Sequence, residues 1–350
     1  MRVAWFAPTP DDIALELGRR HHVDLYDAGQ AHDFVWRHFR APYDLTIFEL
    51  ADSPAHAYIW GYLFHDPGVV ILRATSVQQS RTETLTLHHR RHHLRAERAF
   101  AGPRLLRGPL TAARLVIVHD DAAARDLRSE YPDIDLCVLP IGVTAPGLTV
   151  LDGAIRFRHA TAAPELVERA ASRARDAGAR VETAPGLNDL EDRDVVIALE
   201  WPPTGAAPRD ALRAMAAGLP AIVFETEAVA TWPTLDPQTW QPRGYVAAGQ
   251  PIAISIDPRD EEHSLMLAMK RLASDAGLRA QLGAEAARWT AQCANVTAAA
   301  ATWEVVLKEA ASRRPGADTG QLPLHFTADG TARARALLDE IGVSVDFLDS

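Results

Sequence analysis

Residues 200–224, EWPPTGAAPRDALRAMAAGLPAIVF, decide the fold of this 350-residue chain. They read as a strand end, a Pro/Gly turn, a helix over 207–217, a Gly-Leu-Pro break and a second strand. The break is the informative part. Gly218 has to end a helix while Pro220, two residues later, opens a buried strand. A strand, a helix and a strand in that order form the repeating unit of a parallel sheet covered on both faces.

The same unit recurs in both directions along the chain. Upstream, RVAWFAP (2–8), HVDLYD (22–27), DLTIFEL (44–50), GVVILR (68–73), RLVIVHD (114–120) and DLCVLPI (135–141) read as strands. They are rich in Val, Ile and Leu and alternate little, as strands buried on both faces do. Helices are predicted between them at 11–20, 54–65, about 80–100 and 121–130. Around the opening stretch, AIRFRH (154–159), ARVETA (179–184), DVVIALE (194–200), PAIVFE (220–225) and PIAISID (251–257) read as further strands. Helices are predicted at 163–177, about 260–275, 277–292 and 295–311. The fold class is therefore α/β: two Rossmann-like doubly wound parallel-sheet domains, with a cleft between the carboxyl ends of their strands. No GxGxxG follows either first strand. Thr-Pro-Asp-Asp stands after RVAWFAP, which argues against a dinucleotide-dependent dehydrogenase.

Composition narrows the class. The net charge is −10, against general nucleic-acid binding. No apolar run reaches the ~18 residues of a membrane span. MRVAWFAPTPDD reaches Pro and Asp too early for a signal peptide. Cys137 and Cys293 are the only cysteines, too few for a disulfide framework or a cysteine zinc site. A cytoplasmic protein is expected.

Three stretches carry a resemblance. FELADSPAHAYIWGYLFHDPGVVIL (48–72), ARLVIVHDDAAARDLRSEYPDIDLCVLPIGV (113–143) and DVVIALEWPPTGAAPRDALRAMAAGLPAIVF (194–224) resemble segments of GT-B glycosyltransferases, particularly retaining family 4. SIDPRDEEHSLMLAMKRLASDAGLRAQLGAEAAR (255–288) is similar to that family's C-terminal helical stretch. The resemblance implies transfer of a sugar, of the hexosyl type, from a nucleotide-sugar to an acceptor hydroxyl with retained configuration. It implies nucleotide-sugar contacts at Thr204, Gly205, Ala206, Arg209, Asp210 and Arg213. It puts His56 at the catalytic centre, and Pro8, Asp11, Asp12 and Arg73 on the acceptor side; Glu200, a nearby carboxylate out of register with the family's glutamate, is the candidate catalytic substitute for it. The helix N-terminus near Ala207 would stabilise the departing diphosphate. No metal or cofactor need be invoked.

The donor-site motif is degenerate. The family's glutamate falls on Ala206, which cannot accept a hydrogen bond. Its serine-glycine falls on Pro208 and Arg209, and a second glutamate on Arg213. Its histidine after the fourth strand falls on Arg73. The glycine-bearing loop after the first strand has shrunk to PTPDDIA (8–14). The strand-loop-helix that would open a full-length second domain is nearly absent, so that domain is shortened. Arg156, Arg158 and His159 are candidate substitutes for its missing positive charge, with plain strand-end exposure as the competing reading. These departures leave two expectations open. One is a divergent transferase acting on a glycan or small hydroxylated acceptor. The other is an inactive homologue that binds a glycan, a nucleotide or a partner glycosyltransferase.

Other features are weaker. In LHHRRHHLR (87–95), His88 with His92 and His89 with His93 have i,i+4 spacing. The basic segment 73–114 suits a solvated face first, and an anionic lipid or partner surface second. TWPTLDPQTWQP (231–242) could stack a base or sugar, although an irregular loop is the plainer reading. His119, Asp120 and Asp121 read as solvated loop residues. Asp52 or Ser53 should cap the turn that carries His56. The expected division is 1–143, 144–294, a helix over 295–312 crossing back to the first unit, and a linker and tail over 313–350.

Overall fold

RVAWF shows how the first layer forms. Alternate residues of a strand face opposite sides. In β1 (Arg2–Phe6), Ala4 and Phe6 enter one core with Phe48, Leu50, Val70 and Leu72, while Val3 and Trp5 enter another with Leu45, Ile47, Val69 and Ile71. Both faces are apolar, so both must be covered. The other strands are β2 (His22–Tyr26), β3 (Leu45–Leu50), β4 (Val69–Leu72), β5 (Leu115–Val118) and β6 (Leu136–Val138). Their order is β2-β1-β3-β4-β5-β6, and every neighbouring pair is parallel. The computed structural model describes residues 1–91, 105–150, 155–161, 163–200, 207–243, 249–314 and 332–343.

The connecting helices are α1 (Asp12–Leu17), α2 (Asp33–Arg40), α3 (Ile59–His65), α4 (Gln78–Arg91), α5 (Arg107–Ala112) and α6 (Asp121–Glu130). The predicted helix over 54–65 is in fact two pieces. Ser53 caps a single 3₁₀ turn, Pro54–His56, by accepting from the Ala55 N–H, and α3 starts only at Ile59. Asp52 instead accepts from the Gln79 N–H at 2.5 Å, tying this turn to α4. The predicted helix over 80–100 is described as far as Arg91, so His92 and His93 lie outside the described residues.

The second sheet contains β7 (Arg156–His159), β8 (Glu182–Pro185), β9 (Val195–Ala198), β10 (Ala221–Phe224), β11 (Thr234–Leu235), β12 (Pro242–Arg243) and β13 (Ala253–Ile256). Its order is β12-β11-β13-β10-β9-β7-β8, parallel apart from the β11–β12 pair. Helices α7 (Pro164–Asp176) and α9 (Glu261–Ser274) cover one face, and α8 (Arg209–Ala216) and part of α10 (Ala276–Cys293) the other. The α8–β10 turn explains the Gly-Leu-Pro break. Gly218 has a φ of 80°, which a side chain resists, and a Cβ at Gly283 of α10 would lie 2.0 Å from the Gly218 carbonyl oxygen. Stretch 231–242 is largely the irregular loop expected, with the two-residue strand β11 and the start of β12 within it. Trp232 is buried against Trp289, ring centroids 5.3 Å apart, and the Arg271 guanidinium lies 5.5 Å from the Trp240 ring centre. These rings fasten the sheet edge, which leaves little of the stretch for stacking a base.

Helix α11 (Val296–Ser312) returns to the first sheet. Ala299, Ala300, Trp303 and Leu307 join the core of Val3 and Trp5, and the Trp303 indole N–H donates to the Pro140 carbonyl at 3.0 Å. A short helix, α12 (Ala332–Glu340), lies in the tail. No helix among the described residues is long and apolar enough to cross a membrane.

Candidate functional site

In the first sheet β1 is flanked by β2 on one side and β3 on the other, so the chain reverses its direction of winding there. Crevices at such reversals, beyond the carboxyl ends of the strands, are where open α/β sheets take ligands. The sequence fills this one with charge. After β1 the chain bends through Pro8. Asp11 then caps α1, its carboxylate accepting from the Ile13 N–H at 2.7 Å. Asp12 follows and accepts from the Thr144 N–H at 3.2 Å. Glu49 is the next-to-last residue of β3, Arg73 stands just past β4, and His119 just past β5.

Arg73 ties these ends together. Its Nε donates to Glu49 at 2.9 Å, one terminal nitrogen pairs with Asp11, and the other lies 2.6 Å from Nε2 of His119. His119 Nδ1 sits 3.0 Å from the Leu139 carbonyl oxygen. The two contacts assign the tautomer: Nδ1–H donates to Leu139, and Nε2 accepts from Arg73. Burial and the neighbouring Arg73 push the His119 pKa down to about 3, consistent with that neutral ring. Burial alone would raise Asp11, but Arg73 and Arg209 outweigh it and hold the carboxyl below its ordinary value.

The second sheet contributes through α8. This helix starts at Arg209, two residues later than the sequence suggests, and no side chain caps it. The positive end of its dipole lies at that start. Arg209 crosses the seam to Asp11 at 3.4 Å, Asp12 at 4.0 Å and Glu49 at 3.9 Å. Arg213 donates to Asp12 at 3.2 Å. Asp210 lies in the same turn; burial raises its pKa, against the pull of Arg213 and Arg209.

The sequence-predicted residues thus fall into groups. Asp11, Asp12 and Arg73, expected on the acceptor side, meet Arg209 and Arg213, expected to hold the nucleotide-sugar, in one network. Pro8 stands beside it at the bend after β1. His56 sits on its 3₁₀ turn, where burial and then Arg73 push its pKa down to about 4, so it is neutral near pH 7. Glu200 is exposed at the carboxyl edge of the second sheet, just past β9. Thr204, Gly205 and Ala206 lie outside the described residues. Arg156 and Arg158 do not supply positive charge to the cleft. Arg156 pairs with Glu191 and, at 3.3 Å, with Asp194, and Arg158 donates to the Asn188 carbonyl. His159 is buried, and its pKa is lowered by that burial.

Sequence reasoning passed over Glu49 and misread His119. The signal for Glu49 was a lone acid in the otherwise apolar strand LTIFEL. His119, taken as a solvated loop residue, packs its ring against Trp303 with centroids 6.0 Å apart. Asp120 caps α6 by accepting from the Ala123 N–H at 2.7 Å. Next to this network a cavity of about 620 Å³ opens between Thr75, Asp120 and Asp126 of the first half and Glu225, Glu227 and Asp257 of the second. Five carboxylates line it together with alanines, threonines, a proline and Arg259, which pairs with Asp257 at 2.8 Å.

No family model matches the chain, and no curated protein matches it. Solved structures do. Anabaena HepE in complex with UDP and glucose superposes with a TM-score of 0.55 at 12% identity, covering 88% of this chain and 99% of that one. HepE in complex with UDP-glucose gives 0.55 at 13% identity, covering 88% and 100%. The catalytic domain of starch synthase IV from Arabidopsis thaliana, bound to ADP and acarbose, gives 0.51 at 10% identity, covering 89% and 100%. These likenesses show the fold, two Rossmann-like domains in the GT-B arrangement.

Proposed function

We propose that this GT-B chain binds a nucleotide-sugar in the seam between its two sheets and transfers the sugar to an acceptor hydroxyl with retention. The observation that carries this reading is α8, which brings Arg209 and Arg213 to the first sheet's winding reversal. When the bond from sugar to diphosphate breaks, its electron pair passes to the phosphate oxygen. The two guanidiniums and the positive dipole end of α8 are proposed to meet that charge. Neutral His56 and the Glu200 carboxylate are proposed to hold sugar hydroxyls, and the acidic cavity beside Asp120 to take the acceptor. HepE with UDP-glucose and starch synthase IV with ADP and acarbose support the same classes of donor and acceptor. On this reading residues 1–143 form the acceptor-side unit and 144–294 the donor-side unit.

A second reading, an inactive binding module, has its own support. Arg209 and Arg213 already face carboxylates, and Ala206 stands where the resemblance places a glutamate. Calorimetric titration with UDP, GDP, ADP and their glucose conjugates separates the two. The transferase reading expects micromolar binding of one nucleotide-sugar, slow release of its nucleotide, and at least tenfold weaker binding in Arg213→Gln. Tight binding with no nucleotide release in the presence of varied acceptors selects the binding module. Absence of binding to every nucleotide removes the transferase reading.

A further inference from the structure

The charges in the seam are already matched. Arg73, Arg209 and Arg213 face Asp11, Asp12 and Glu49, three cations against three anions. The carboxylates are far from water. The Asp11, Asp12 and Glu49 side chains are 2%, 3% and 8% exposed, whereas Arg209 and Arg213 keep 24% and 49% of theirs in solvent. A diphosphate added to this network leaves an excess of negative charge beside buried carboxylates, which is unfavourable unless a group withdraws. Asp11, Asp12 and Glu49 are anchored on α1 and β3, and Arg73 is buried beside them. The partners able to part are Arg209 and Arg213, carried on the other sheet.

We propose that Asp11, Asp12 and Glu49 act as an internal anion that latches α8 across the seam, and that a phosphate-bearing donor engages Arg209 and Arg213 only by displacing them from it. The inference rests on the donor site proposed above and adds its regulation: carboxylates of the first sheet hold the cations that would bind the donor. Donor binding then opens the seam at Asp12 and frees the acidic side for the acceptor. The latch also explains why Arg213 is paired while half exposed. It is held by the opposite domain rather than by its own helix. Asp12 is the informative residue to change. In Asp12→Asn one side-chain oxygen still accepts from the Thr144 N–H, while the charge that holds Arg213 is gone.

Two measurements test the latch. The first is a spin-label distance between Ser129→Cys and Arg180→Cys, exposed positions in the two halves, with Cys137 and Cys293 replaced by serine. Without ligand, Asp12→Asn should broaden and lengthen the distribution relative to the parent, and an unchanged distribution overturns the latch. The second is titration with inorganic pyrophosphate. Asp12→Asn should bind about three- to tenfold more tightly than the parent, and Arg213→Gln more weakly. Equal or weaker binding by Asp12→Asn, including no binding at all, overturns the competition. If no nucleotide-sugar binds any variant, the donor reading fails on its own, and the distance measurement still decides whether the seam is latched.

Discussion

The chain contains the same winding reversal twice and furnishes it in opposite ways. In the first sheet β1 lies between β2 and β3, and in the second β7 lies between β8 and β9. The first reversal is packed with ionised groups: Asp11, Glu49 and Arg73 around a neutral His119. The second is quiet. His159 ends β7 buried, and the Thr161 hydroxyl donates to the Leu199 carbonyl at 3.0 Å. Topology supplies the crevice, and the residue just past each strand decides what the crevice can do. A charged network fixes geometry but makes each member dependent on the others.

The largest difference should come from breaking the first reversal at its centre. Arg73→Met leaves Asp11 and Glu49 buried without their main counter-charge. A loss of about 3–5 kcal/mol in unfolding free energy is expected by chemical denaturation. A loss below about 1 kcal/mol would mean that the network is not tightly coupled.

The next difference is in pH. His56 and His119 have folded pKa values of about 4 and about 3, below the 6.5 of an unperturbed ring. The unfolded chain therefore binds more protons than the folded one below pH ~6.5, and stability falls as pH drops from there toward 4. Asp11, also lowered, adds to the loss in more acid solution, below its ordinary 3.8. Replacing His119 with Gln should flatten the slope between pH 6.5 and 4, read from denaturation midpoints. His159→Gln should flatten it less, because burial lowers His159 while the neighbouring Glu168 pulls it back up. Equal flattening by the two variants would erase the contrast between the reversals.

The smallest effect sharpens the quiet side. Thr161→Val removes the hydrogen bond to Leu199 and the one accepted from the Ala163 N–H at 3.1 Å, and should cost about 1–2 kcal/mol in the same assay. A cost equal to that of Arg73→Met would show that the second reversal is as tightly fastened as the first.

Much of the fold was legible because its signals are local. Short apolar runs rich in Val and Ile, such as VVIL and LVIV bounded by turn residues, read as strands buried on both faces, and Gly218 marks a helix end by its backbone alone. Asp11 was legible as a helix start for the same reason. Element ends were less so. The helix expected from Ala207 begins at Arg209, and the one expected across 54–65 is interrupted between His56 and Ile59, because end positions depend on packing against the sheet. The network itself was not legible. Asp12 and Arg213 are 201 positions apart, and no local pattern says that a residue after one strand will meet a helix of another sheet. His119 looked like a loop residue because burial by Trp303 depends on a helix almost two hundred residues later.

By itself the sequence determined two parallel sheets, the helix that follows Pro208, and the residues standing at the strand ends. Periodicity and turn chemistry act over a few residues, so those choices are made locally. Tertiary structure decided which strand ends share a crevice, that three carboxylates face three arginines, and that the α8 cations rest on the opposite sheet. Electrostatic pairing depends on distance through space, and only the folded chain sets that distance.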